Sequence, residues 1–215
     1  MRDKLSHPHP AVGDGERESE PTPAVADSAV FVKADLRGAT LGDAVLRRAN
    51  LDGAHLHSAT LRHADLEEAS LRGANLMEAD LSTARLGLGD LRDSLLAVAN
   101  LSEANLAEAR LAGANLRGAN VSHAQLQRAE LCSALLGGAV LDGADLKDAD
   151  LFAVDLSNVN LEWAEGIEVD QLAQADIFRS TDLPHGFEKS ETLRQRIAEC
   201  QTAEAEGEDP PVWAE

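Results

Sequence analysis

Large apolar residues recur at every fifth position of this chain from Phe31 to Leu161. Of these 27 positions 25 are Leu, and the residue two places before each is Ala at 23 of them. Five residues advance about 500° around an α-helix, so the Leu side chains would form no stripe on it. In a flat strand an odd period would place alternate Leu on opposite faces. The pattern therefore predicts neither element, although the Ala- and Leu-rich composition alone favours helix.

One geometry places every Leu and Ala on the same side of the backbone. Residues two apart point to the same side of an extended segment, and the remaining residues of each unit then turn a corner. Asp or Asn precedes the apolar residue at 14 of the 27 positions, and such residues suit tight turns because they bond their own backbone. The chain is thus expected to wind into a coil with a solid Leu and Ala interior, paired with the coils about 4.7–4.9 Å above and below.

Individual units resemble a known family. Ala34–Gly38 (ADLRG), Ala74–Glu78 (ANLME) and Ala114–Gly118 (ANLRG) are similar to the A(D/N)LXX unit of pentapeptide-repeat proteins, and such units cover about two thirds of the chain. The resemblance implies an all-β fold, a right-handed quadrilateral parallel β-helix with four pentapeptides per coil. It also implies about 6.75 coils and a rod about 32 Å long at the usual strand spacing.

The repeat ends after Leu161, and the open end of a β-helix needs a cover because it would otherwise recruit other strands. Asp170 and Ser190 are candidate N-caps of two short helices, the second over residues 191–203 with Leu193, Ile197 and Cys200 on one side. That apolar stripe is expected to bury against the end of the rod or against a second copy of the chain. The expected domains are a disordered arm at 1–27, the β-helix at 28–165, a helical cap at 166–203 and an acidic disordered tail at 204–215.

Charge and composition narrow the classes of partner. The net charge is −19, and residues 141–165 hold seven acids against Lys147 alone, so direct binding of nucleic acid, which needs a basic surface, is not expected. No apolar run reaches the roughly 18 residues of a membrane span, no signal peptide is visible, and two cysteines indicate no disulfide framework. These observations predict a cytoplasmic protein that does not bind membranes.

Nothing in the chain matches a catalytic motif, and carboxylates on a convex rod lack the cleft that raises a pKa for acid–base work. His55, His57 and His63 are close in sequence, but side chains on a flat outer wall diverge and do not converge on zinc. His7 and His9 in the N-terminal arm are not expected to hold a metal either. We therefore predict no enzyme activity, no metal and no cofactor.

Two non-catalytic functions remain open. Contiguous exposed apolar residues often mark a partner site, and the candidate partner surface consists of Met77, Leu95, Val98 and Leu135. This surface favours a rigid protein-interaction scaffold.

The alternative comes from the family. Some pentapeptide-repeat proteins resemble B-form DNA, bind DNA gyrase or topoisomerase IV, protect the enzyme from quinolones or natural toxins, and dimerise through C-terminal helices. The resemblance makes Leu193 and Ile197 a candidate homodimer contact. The candidate acidic surface comprises Asp142, Asp145, Asp148, Asp150, Asp155 and Glu162.

Overall fold

The computed structural model describes residues 25–206 and winds them into a β-helix. Parallel bridges join residues twenty apart, beginning with Val25 to Val45 and recurring every five residues as far as Asp145 to Glu165. A step of twenty residues equals four pentapeptides, so each coil has four sides. Each side contributes a single bridged residue, the one before the inward Leu, and the repeat therefore contains no longer strand within the described residues.

Every corner is built in the same way. The N–H of the Ala donates to the carbonyl of the Leu three residues earlier, as Ala74 does to Leu71 at 3.0 Å. The second residue after each Leu has a positive φ at all corners from Ser28 to Asn158, and 20 of these residues are not Gly. The Asp or Asn before the Leu accepts the N–H two residues on, as Asn75 Oδ1 does from Met77 at 3.2 Å. This bond is the physical reason for Asp and Asn at that position.

The coils are joined by a regular backbone ladder. The N–H of each inward residue from Phe31 to Leu136 donates to the next coil, as Leu76 N does to Leu95 O at 2.7 Å, while Leu95 N donates back to Ala74 O at 2.9 Å. The Leu and Ala side chains fill the interior and are fully buried from Ala44 onward. The pattern of apolar residues thus decides which side of the backbone faces the axis.

The repeat ends where the corner geometry changes. Trp163 occupies the corner position but has no positive φ, and Gly166 has a φ of 70° instead. Beyond it the ladder continues with longer steps, because Asp155 bridges Asp176 and Asn160 bridges Asp182. The additional residues make room for helix α1, Val169–Ala173, on the end of the rod.

The predicted boundaries differ from the structure by a few residues. The ladder is already present at Val25, within the predicted arm, and the rest of that arm, residues 1–24, lies outside the described residues. The N-cap of α1 is Glu168 instead of the expected Asp170, because the Gln171 side chain reaches back to accept the Glu168 N–H at 2.8 Å.

Two further helices follow α1. They are a 3₁₀ helix, Phe187–Lys189, and α2, Glu191–Glu206. Ser190 accepts the Leu193 N–H at 3.3 Å, as its predicted role at the start of α2 requires. Helix α2 extends three residues beyond its predicted end, because Ala and Glu are good helix formers. Most of the predicted tail, residues 207–215, lies outside the described residues.

Candidate interaction surfaces

The four residues of the predicted partner surface lie on one side of the rod. The bridged residues of this side run, coil by coil, through His55, Asn75, Leu95, Asn115 and Leu135. Met77 and Val98 lie at the corner that follows this side, on successive coils. The two turns are hydrogen-bonded, since Glu78 N donates to Ala97 O at 3.1 Å. We call this side, from Asp35 to Asp155 with its following corner, the Leu95 face.

The apolar side chains of the Leu95 face stand among small neighbours. Leu95 is 39% exposed and Val98 is 63% exposed, whereas Met77 and Leu135 are half-buried. Ala97, Gly118 and Gly138 flank them and add little or no side chain. Three coil steps separate Asn75 from Leu135, which is about 14 Å at the usual strand spacing. The four residues thus lie along one side of the rod, with Asn115 between Leu95 and Leu135.

Charge on the Leu95 face is sparse and mostly neutralised. Arg37 pairs with Asp35 at 2.7 Å, and Arg117 pairs with Asp155 at 2.7 Å. The opposite side of the rod, two sides away, carries an ion network instead: Arg85 bonds Asp65 at 3.2 Å and Glu67 at 3.0 Å, and Arg47 also pairs with both acids. The four predicted residues therefore lie on a side with few unpaired charges, whereas other exposed apolar residues, such as Leu88 and Val140, lie on other sides.

A long ion pair crosses the upper part of this face. The Arg117 side chain passes over Gly137, which leaves room for it because glycine has no Cβ. A Cβ at this position would lie 2.9 Å from Ser157 Oγ and 3.6 Å from Arg117 Nε. Burial tends to raise the pKa of Asp155, but hydrogen bonds from Ser157 and the Arg117 guanidinium outweigh it and hold this pKa below its usual value. Asp155 is thus an ionised, structurally engaged carboxylate.

The predicted acidic residues do not share a side. Asp145, Asp150 and Asp155 occupy the bridged positions of three successive sides, and Asp142 and Glu162 stack on the fourth. Three of them have side-chain partners, since Asp145 accepts Gln127 Nε2 at 2.7 Å, Asp155 binds Arg117, and Glu162 lies 2.9 Å from His185 Nε2. The structure arranges these acids as a ring around the C-terminal end of the rod.

The predicted dimer stripe on α2 is covered by the chain itself. Leu193, Cys200 and Ala203 are buried, and Ile197 packs against the core cluster. Of the two outcomes left open by the sequence, the stripe buries against the end of the rod. The exposed side of α2 carries Glu191, Arg194, Gln195, Ala198 and Thr202.

Sequence reasoning missed a second exposed apolar region, at the first coil. Val25 and Val30 are 72% and 74% exposed, and the inward Phe31, Leu36 and Leu41 are only partly buried. The signal was present in the sequence. Extending the register backward from Ala26 places Pro21 and Glu16 at inward positions, which neither the ladder nor an apolar interior accepts.

Metal ligands, free thiols and membrane-spanning helices are the remaining candidate features of residues 25–206. No group of three or more His, Cys, Asp or Glu in this range is arranged to hold a metal ion, and His7 and His9 lie outside it. Cys132 and Cys200 are free thiols, and burial raises the pKa of both. No helix in the described part of the chain is long and apolar enough to cross a membrane.

This architecture, a four-sided coil of five-residue units with a covered end, defines a class of repeat protein. The family model described as pentapeptide repeats matches residues 29–67, 54–93, 94–132 and 129–165. The chain belongs to the pentapeptide-repeat family, as the sequence predicted.

Two solved structures illustrate the similarity. HetL, a pentapeptide-repeat protein involved in heterocyst differentiation regulation from the cyanobacterium Nostoc sp. strain PCC 7120, is 31% identical over 75% of this chain and 84% of its own, with a TM-score of 0.54. QnrB1, a plasmid-mediated fluoroquinolone resistance protein, is 19% identical over 82% of this chain and 89% of its own, with a TM-score of 0.60. A comparison with curated protein sequences found no match. At 19% identity the likeness to QnrB1 concerns the fold alone.

Proposed function

We propose that this protein is a non-catalytic scaffold that binds a protein partner through the Leu95 face. The observation that carries the proposal is the collection of Met77, Leu95, Val98 and Leu135 on one side, away from the ion network of the opposite side. Exposed apolar surface of this kind is typical of interaction sites. The rigid ladder beneath it lowers the entropic cost of binding, since little of the surface must be ordered.

The electrostatics favour a binding role over catalysis. The pKa values of Asp27, Asp35, Asp90 and Asp155 are all shifted downward, that of Asp35 to about 2. Arg48 is the first cause for Asp27, Arg37 for Asp35 and Arg92 for Asp90. A general acid needs the opposite shift, which keeps its proton near neutral pH. These carboxylates instead stay ionised and hold neighbouring side chains and backbone in place.

The test is affinity capture of host proteins by the full-length chain and by variants with matched controls. Leu95→Asp and Val98→Asp each place a charge on the Leu95 face. Val140→Asp is the control for Leu95, because Val140 occupies the same bridged position on another side and is 46% exposed. Leu88→Asp is the control for Val98, because both residues have a positive φ at an exposed corner, 58° and 61°.

A host protein retained by the wild type and by both controls, and lost with Leu95→Asp and Val98→Asp, is the expected result. Loss of binding with the controls to the same extent would contradict the assignment of this face. Failure of the wild type to retain any host protein would argue against the scaffold function itself. Because both members of each pair share backbone geometry, a difference between them reports on the surface rather than on folding.

The second candidate is DNA mimicry toward DNA gyrase or topoisomerase IV. The net charge of −19 and the acidic ring at the C-terminal end favour it. The size of the charge argues against it. Duplex DNA carries about 19 negative charges over about 32 Å, whereas residues 29–165 carry 20 acids and 12 bases, a net charge of −8. Purified protein that inhibits supercoiling, with inhibition weakened by Asp145→Asn and Asp150→Asn but not by Leu95→Asp, would support mimicry. Either target would place the protein in the cytoplasm, the location we propose.

A further inference from the structure

The two ends of the β-helix are finished differently. At the C-terminal end the cap satisfies the open edge: the Gln171 side chain donates to Leu146 O at 3.1 Å and Ala149 O at 2.9 Å, and Thr181 Oγ1 donates to Leu156 O at 2.8 Å. At the N-terminal end, residues 25–44 form a first coil with no cover among residues 25–206. The edge of this first coil carries the inference.

The first coil presents both donors and acceptors. The N–H and C=O groups of Val25, Val30, Asp35 and Thr40 have no backbone partner within residues 25–206. In the next coil the equivalent groups are paired, as Asn50 N is with Ala29 O at 2.8 Å. Beside them lie the exposed Val25, Val30 and Val32 and the partly buried inward residues of the same coil. An apolar edge with unpaired backbone groups is a template for pairing with another chain.

Residues 1–24 are poorly suited to extend this ladder. In the repeat, an N–H that bonds to the next coil donates to the carbonyl 19 residues later, as Leu36 N does to His55 O. The donors to Asp27 O, Thr40 O and Gly42 O would therefore be residues 8, 21 and 23. All three are Pro, which has no N–H. The inward positions would hold Pro21, Glu16 and Ser6, and burying an unpaired Glu or Ser is costly. In this register the N-terminal segment therefore lacks three of the N–H donors and the apolar inward residues that would continue the ladder.

A second copy of the chain has those groups. The edge of one first coil offers N–H and C=O groups together, so it is complementary to the same edge of another copy related by a two-fold axis. The charges permit the approach, since residues 25–44 hold three acids and two bases and Asp35 is paired with Arg37, Asp27 with Arg48. The opposite ends would repel each other, because residues 141–165 hold seven acids and one base.

We propose that two copies associate end to end through their first coils, with the valines of residues 25–32 in contact and the acidic C-terminal ends pointing outward. Such an interface joins edge strands as antiparallel pairs across the two-fold axis. The area that one coil end can bury is small compared with the area buried by stable interfaces, about 1,200–2,000 Å². The association is therefore expected to be weak and to depend on protein concentration. The interaction is independent of the Leu95 face, which stays exposed along the length of both rods.

Sedimentation equilibrium of the full-length chain tests this association, over a range from about 1 µM to about 1 mM that spans weak binding. Val30→Asp and Val25→Asp add a charge at the interface and are expected to abolish the dimer. These residues are mostly exposed, so the substitutions remove little buried surface, and unchanged thermal melting would verify folding. Val140→Asp is the matched control at a bridged position far from the first coil, and Ala198→Asp alters the exposed side of α2.

The expected result is a wild-type dimer that is lost in both first-coil variants and kept in both controls. A wild type that is monomeric at every concentration would overturn the proposal. A monomer is the result expected if residues 1–24 or another protein cover the edge. A dimer that survives Val30→Asp would place the interface elsewhere. A dimer that is lost with Ala198→Asp would place it at α2, and either of these results also overturns the proposal.

Discussion

The attachment of the cap depends on one buried arginine. Arg196 on α2 is 1% exposed. Its Nε donates to Ala175 O at 2.8 Å, and one of its terminal nitrogens donates to Asp176 Oδ1 at 2.7 Å. Asp176 in turn bridges Asp155 in the last coil of the rod. The guanidinium thus connects α2 directly to the segment that continues the ladder.

Arg196→Ala is expected to destabilise the cap by about 3–5 kcal/mol. Only the arginine of this pair is fully buried, since the Asp176 side chain is 17% exposed, but breaking a largely buried ion pair by removing one partner typically costs this much. The loss here includes the donor to the Ala175 carbonyl. A repeat protein is stabilised mainly by contacts between neighbouring units. We therefore expect α2 to unfold at lower denaturant than the coils, with the core from Ala44 to Leu141 intact.

Urea unfolding followed by circular dichroism, with hydrogen exchange of the α2 amides, measures this effect. Arg194→Ala is the matched control on the same helix: its side chain is exposed, pairs with Glu191 at 3.6 Å and donates to Glu188 O at 3.0 Å, and an exposed pair of this kind is worth about 0–1 kcal/mol. The variants should differ by about 2 kcal/mol or more, the gap between these ranges. If their losses agree within about 0.5 kcal/mol, the usual error of such comparisons, Arg196 contributes no more than a surface pair. The reasoning about cap attachment would then be refuted.

Two further predictions concern the repeat itself. Val98→Gly is expected to raise stability by up to about 1 kcal/mol, because a β-branched residue is strained at its φ of 61°. Gly118→Val at the equivalent corner is expected to lower stability for the same reason. Thermal melts of both variants measure these changes, and a destabilised Val98→Gly would contradict the prediction. Asp155 has a lowered pKa in the folded protein, so the unfolded chain takes up the proton first as the pH falls. The contribution of this carboxylate to the free energy of unfolding is therefore present above the pKa of the unfolded chain, near 3.8, and is lost below it. Urea midpoints of the wild type and Asp155→Asn should therefore differ by a constant amount above about pH 5 and converge in acid, and a difference that grows on acidification would oppose this account.

The fold was predictable because its cause is local and repeated. A five-residue unit with Ala and Leu two apart states which side chains face the axis, and the unbroken series from Phe31 to Leu161 leaves one register for the whole repeat. The end of the repeat was also visible, since Trp163 and Gly166 replace the pattern. These features need no knowledge of distant neighbours.

Which outer residues become neighbours was decided by the tertiary structure. A spacing of five residues does not state how many sides a coil has, and only a four-sided coil stacks residue 75 on 95 and 115 on 135. The sequence likewise left open whether the α2 stripe meets the rod or a second copy, and it gave no sign that Arg196 on α2 would be buried. That burial requires the Ala175 carbonyl and Asp176, about twenty residues earlier, to meet it. The inner wall follows from local pattern, whereas the outer surfaces and both ends depend on contacts between residues distant in the chain.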